Sequence, residues 1–231
     1  MLGVSTELNV IYVIAGIPTN KQIAGETVLG KKLHVAAVIL FLILGTACSK
    51  KIETKDPPLP DTSAIEVPMR DDPQQNSIDI PDWYRNGYKI HALAHYELKA
   101  RVLSAETYHS DRESDLSPVD LALGWGPMSD EELLKSIDIS QGHRWYHWHA
   151  DSLPMSMADI GSHSANTHIV PATKEVERTA LEAQKNDVVK MRGYLIRVDA
   201  KDGWHWVSSL SRTDTGAGSC ELFWVEKIDM E

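Results

Sequence analysis

The chain has 231 residues, 42% of them hydrophobic and 24% charged, which is enough for one sizeable core with appendages. The formal net charge of −10 argues against a nucleic-acid partner, because phosphate binding needs clustered Lys and Arg and no basic run exceeds two residues. There are two cysteines, Cys48 and Cys220, so if Cys48 carries a lipid no intrachain disulfide is possible.

In chain order, the first 27 residues hold Glu7, Glu26 and a weak apolar run from Val10 to Ile17, where a short cationic start is expected of an exported chain. This mismatch suggests a translation start near Val28. Residues 31–50, KKLHVAAVILFLILGTACSK, place two lysines before an uncharged stretch from Val35 to Ala47, with Gly-Thr-Ala directly before Cys48. A positive end, a short apolar segment and small residues at the cut make a secretory signal. The apolar stretch falls short of the roughly 20 residues that a membrane span needs.

The Cys at the cleavage point makes this run resemble a bacterial lipoprotein signal, in which that Cys becomes the lipid-modified first residue. Gly45 stands where such signals usually carry Leu, and Leu44 lies one place back. The resemblance implies a signal over 1–47, palmitate and related acyl chains on Cys48, and attachment to the membrane through that lipid. Ser49, in place of Asp, implies the outer membrane, with the domain facing the periplasm. An ordinary cleaved signal ending at Ala47 and an uncleaved anchor are the alternatives.

Six of the eleven prolines lie between Lys50 and Tyr84, among acidic and small polar residues. This composition predicts an extended, disordered, acidic tether over 48–86. A single globular domain is then expected over 87–231. Tyr88 to Leu103 alternates with period two, Ala92, Ala94, Tyr96, Leu98, Ala100 and Val102 sharing one face, which predicts a long half-buried strand. Ser117-Pro118 reads as a helix start, and Ser129-Asp-Glu-Glu132 as a capping box opening a second short helix. Strands are expected over Asn166–Val170, Val188–Val198, Trp204–Leu210 and Cys220–Ile228, and a helix over Thr173–Lys185. Gly193, inside a strand, predicts a bulge or tight bend. The pattern is that of an α+β to mainly β chain, with a small OB-like antiparallel β-barrel and one or two short helices.

The chemistry-bearing stretch is His143-Arg-Trp-Tyr-His-Trp-His149. As a strand, it puts His143, Trp145, His147 and His149 on one face and Arg144, Tyr146 and Trp148 on the other. A His-x-His pair on one strand face brings two imidazoles about 7 Å apart at the backbone, near enough to share an ion. Zinc would then need a third ligand, for which His163 is the first candidate and His168 and His205 the others. Equally, the histidines belong to a structural strand, and no cofactor is required. Trp145, Trp148, Trp204 and Trp206 are candidates for an aromatic row that stacks a sugar or peptide. Asp214-Thr-Gly-Ala217 matches the short signature of retroviral-type aspartic proteases, but it lacks the preceding apolar strand and a second copy.

The blocks LSPVDLALGWGPMSD (116–130), DISQGHRWYHW (138–148), HSANTHIVPA (163–172) and SSLSRTDTGAGSCELFWVE (208–226) resemble a family of bacterial exported and membrane (lipo)proteins to which no activity is assigned. The resemblance implies export and one domain. The function expected is a non-catalytic binding module for an envelope glycan such as peptidoglycan, a peptide or a protein. The alternative is a zinc-dependent hydrolase or metal-binding protein built on His147 and His149.

Overall fold

The computed structural model describes residues 11–14, 56–216 and 218–231; the apolar run expected as a signal, Cys48 and the start of the expected tether lie outside them. Among the described residues, eleven strands and three short α-helices follow in order. They are β1 (Ile11–Ile14), β2 (Gln74–Ser77), β3 (Trp83–Arg85), β4 (Tyr88–Thr107), β5 (Val119–Gly124), α1 (Glu131–Leu134), β6 (Asp138–Gly142), β7 (Trp145–His149), α2 (Met157–Ser162), β8 (Ser164–Pro171), α3 (Lys174–Glu182), β9 (Val188–Asp199), β10 (His205–Val207) and β11 (Glu221–Met230). The chain is therefore mainly β with few helices.

Five strands pair into a closed ring: β4 with β5, β5 with β8, β8 with β11, β11 with β9, and β9 back with β4. Only β8–β11 is parallel. Alternation along each strand sends one set of side chains into the ring, where residues of all five strands form one cluster. Tyr96 and Leu98 of β4, Leu121 of β5, Ile169 of β8, Leu195 of β9 and Phe223 of β11 meet there, joined by Val176 and Ala180 of α3.

The ring closes because its long strands bend. In β4 the pairing with β9 shifts between Ala92 and Ala94, and the pairing with β5 shifts between Val102 and Ser104. Each bulge turns the side-chain alternation over. Tyr88 and Ile90 therefore pack in an outer cluster, while Ala94 to Val102 face the ring, so the single face expected from Ala92 onward is split. Gly193 lies opposite Val225, beside a third bulge at Val225/Lys227; a Cβ there would overlap the Trp224 carbonyl oxygen. The bulge expected at Gly193 lies across from it on β11, and a close backbone approach accompanies it.

Two expectations change. Val119–Gly124 is a fully buried strand, not a helix begun by Ser117 and Pro118. Short apolar runs fit either element, and here both faces are covered. Residues 74–85, expected as tether, carry β2 and β3, which pair along β4. Trp83 is fully buried edge-on to Trp224, with ring centroids 5.2 Å apart. Ile65 and Val67 are also buried, and Arg192 of β9 donates to the Ser63 and Ala64 carbonyls at 3.1 and 2.8 Å. Burying such side chains gains on the order of 2 kcal/mol each, so these few apolar residues outweigh the entropy that the surrounding prolines suggest.

Candidate functional site

The histidine-rich stretch forms a hairpin. β6 pairs with β7, and His143 and Arg144 are the two loop residues, both left-handed at φ 54° and 66°. This is the backbone of a type I′ turn, whose twist matches the strands but which normally recruits Asn and Gly. His143 thus leaves the strand face. From Trp145 the expected alternation holds: Trp145, His147 and His149 are half-buried, while Tyr146 and Trp148 are buried.

The structure does not gather the proposed metal ligands. His163 caps the end of α2, its Nδ1 2.8 Å from the Asp159 carbonyl and its Nε2 3.9 Å from Asp72. His149 lies 3.8 Å from the exposed Asp151. Among the described residues no three His, Cys, Asp or Glu side chains are placed to hold one ion. The tryptophans separate into two places. Trp148 packs with Tyr146, Ile137 and Ile160 behind the hairpin. Trp204 and Trp206 lie 6.2 Å apart in a different apolar cluster, Trp206 tilted over the His168 ring at 4.8 Å and Trp204 beneath the Arg112 guanidinium at 4.6 Å.

Arg144 organises the hairpin's contact with the ring. Its Nε and Nη2 donate to the two Asp111 carboxylate oxygens at 2.8 and 2.9 Å. Nη1 donates to Asp120 Oδ1 at 2.6 Å, and Nη2 also reaches the Ser117 carbonyl at 2.9 Å. The guanidinium lies 3.7 Å from the centre of the Tyr108 ring, whose hydroxyl accepts the Arg144 backbone N–H. Burial works against the Arg144 charge, yet the Asp111 hydrogen bond and the Asp120 charge outweigh it and hold the group above its ordinary pKa. Burial likewise pushes the Tyr108 hydroxyl up to about 12, with the Asp120 charge adding to it.

Behind Arg144, Asp120 of β5 is paired in register with His168 of β8, and both are fully buried. His168 Nδ1 lies 2.9 Å from Asp120 Oδ2 but out of hydrogen-bond alignment, and neither ring nitrogen has an aligned partner among the described residues. Asn166, two residues before, donates to the Arg144 carbonyl at 3.2 Å and receives Gln141 at 2.6 Å. An Asp–His pair can relay protons only where a reacting group reaches it. Here both side chains are fully buried, with Arg144 bonded to Asp120 and the Trp206 ring over His168, so the pair ties the hairpin residue Arg144 to the β5–β8 face through Asp120. Sequence reading missed the cluster, although one signal was present: a single carboxylate, Asp120, inside the apolar run Val-Asp-Leu-Ala-Leu.

A second buried charge sits inside the ring wall. Glu221 of β11 pairs with Arg212, which also donates to the Tyr96 hydroxyl at 3.1 Å. Arg212 is raised as an ion pair demands, but the Glu221 carboxyl is pushed up to about 7, because burial outweighs the attraction of Arg212. Its Oε2 has no partner among the described residues, consistent with desolvation winning. Asp214, of the Asp-Thr-Gly-Ala stretch, accepts the Ser209 hydroxyl at 2.7 Å. Glu221 and Asp214 line a cavity of about 10 Å³, room for one water at most. The larger opening, a groove of about 660 Å³ lined by Met69, Arg70, Arg101, Pro127, Asp130 and Leu133, shares no residue with either buried cluster.

No family model, no curated protein and no solved structure matches the chain.

Proposed function

We propose that this chain is a lipid-anchored protein of the bacterial cell envelope, held at the outer membrane through Cys48, whose domain is a non-catalytic binding module for an envelope glycan, peptide or protein. The observation that carries the binding reading is the ring. Numbered by appearance, its strands run first, second, third, fifth, fourth and back to the first, with a helix between the third and the fourth. This order supports an OB-like barrel, a five-stranded Greek-key scaffold whose ligands sit on the second–third strand face and adjoining loops. In this chain β6 and β7 cover that face and Arg144 fastens them there, which directs recognition to the hairpin and the outer surface. The anchor rests on the run KKLHVAAVILFLILGTACSK.

Metabolic palmitate labelling of the wild-type chain and of Cys48→Ala, followed by membrane fractionation, tests the proposal. The wild type should label and sediment with membranes, and the variant should do neither. Equal labelling of both would overturn the anchor.

A further inference from the structure

β7 is the outer strand of its hairpin, with β6 on one side. Successive N–H groups of a strand point to opposite sides, so about half of the β7 amides serve β6 and the rest face the other edge. Edges that must stay free are usually protected by Lys, Pro, a bulge or a covering element. β7 reads Trp-Tyr-His-Trp-His, with no Lys, Arg, Asp, Glu or Pro, and its register with β6 has no break. The residue types that would repel a visiting strand are missing from it.

That edge holds a strand in the structure. Residues 11–14 of this chain, Ile-Tyr-Val-Ile, lie antiparallel along it, with Ile11 opposite His149, Tyr12 opposite Trp148, Val13 opposite His147 and Ile14 opposite Tyr146. Cleavage before Cys48 or translation from Val28, the two routes expected from the sequence, would each remove these four residues, whereas an uncleaved chain from Met1 would keep them. With them removed, the edge they cover is open on a protein tethered at a membrane surface.

We propose that the free edge of β7 in the mature protein is a strand-addition site, which takes an extended, uncharged, β-branched and aromatic peptide segment of a partner protein antiparallel to Trp145–His149. This deepens the binding-module reading and rests on it for its purpose. Main-chain hydrogen bonds supply affinity in this mode, and alternate side chains supply selectivity. Residues 11–14 show the register that the edge accepts, and their sequence, Ile-Tyr-Val-Ile, sets the residue types proposed.

The test uses the mature chain extracted from membranes, and as probe a synthetic peptide of residues 9–16 with two lysines added at each end for solubility. Amide hydrogen exchange is followed along β7. With the peptide at ten times its Kd, alternate amides within Trp145–His149 should slow by about tenfold, while the amides already bonded to β6 stay unchanged. The same peptide carrying Val13→Pro, which loses a donor, should give no protection. Unchanged β7 exchange, or equal protection by the proline peptide, would overturn the proposal. Protection confined to other residues would overturn the edge while leaving the binding-module reading standing. Peptide-independent protection that disappears on dilution would assign the edge to a second copy and overturn it too. If the extracted chain retains residues 11–14 on β7, the edge is occupied by the chain's own strand and the proposal is overturned.

Discussion

Arg144→Met gives the sharpest test of how the hairpin is held. Methionine keeps much of the buried aliphatic stem but removes the guanidinium that bonds Asp111, Asp120 and the Ser117 carbonyl. Asp120 is fully buried, so its carboxylate is left without a counter-charge beside His168. Removing one partner of a buried pair costs about 3–5 kcal/mol, because desolvation of the survivor is no longer offset. With a urea slope of about 2 kcal/mol per molar, the unfolding midpoint should fall by about 2 M. Adding Asp120→Asn removes the stranded charge and should recover at least about 1 kcal/mol, a coupling that a double-mutant cycle reads directly. The backbone supplies an internal control. At φ 66° the left-handed conformation costs an L-residue about 1–2 kcal/mol, so Arg144→Gly should be more stable than Arg144→Ala, contrary to the usual order. A loss below about 1 kcal/mol for Arg144→Met, measured by urea denaturation with tryptophan fluorescence, would refute the assignment of Arg144 as the fastening residue.

Three further outcomes are expected. The Glu221 carboxyl, raised to about 7 from an ordinary 4.5, binds more protons folded than unfolded. Stability should therefore fall as pH rises from about 4.5 to 7, and Glu221→Gln should flatten that slope in urea titrations; equal slopes would discard the raised carboxyl. Gly193→Ala forces a Cβ into the Trp224 carbonyl oxygen across the β9–β11 bulge and should cost more than about 3 kcal/mol or prevent folding, judged by circular dichroism and thermal melting. His143→Gly, at an exposed left-handed position, should raise stability by about 1 kcal/mol; a clear loss would mean that the imidazole has a structural role in the turn.

Much of the fold was legible where one periodicity runs unbroken. β8, β9, β11 and α3 fall close to where alternation, apolar runs and the Thr173 cap put them. β4 was legible as a strand but not as a curved one, since each bulge exchanges faces and alternation says nothing about which residue is extra. β3 was hidden by the prolines around Trp83, because average composition misses one large side chain that finds a pocket. β5 was misread from its Ser-Pro entrance. The candidate site was less legible still. The His-x-His spacing was visible, but the ring geometry supplies it with no third ligand among the described residues. The cluster that does assemble joins Arg144 to Asp120, 24 residues away, and Asp120 to His168 across a strand pair. No local spacing announces a partnership that exists only once the hairpin folds over the ring.

The central claim is an envelope module carried on a lipid at Cys48, and intact mass spectrometry of the chain extracted from membranes tests it most directly. The account predicts a polypeptide that begins at Cys48 and carries the added mass of a diacylglyceryl group with or without a third acyl chain. A chain that retains residues N-terminal to Cys48, or that begins at or after it without lipid, would contradict the account.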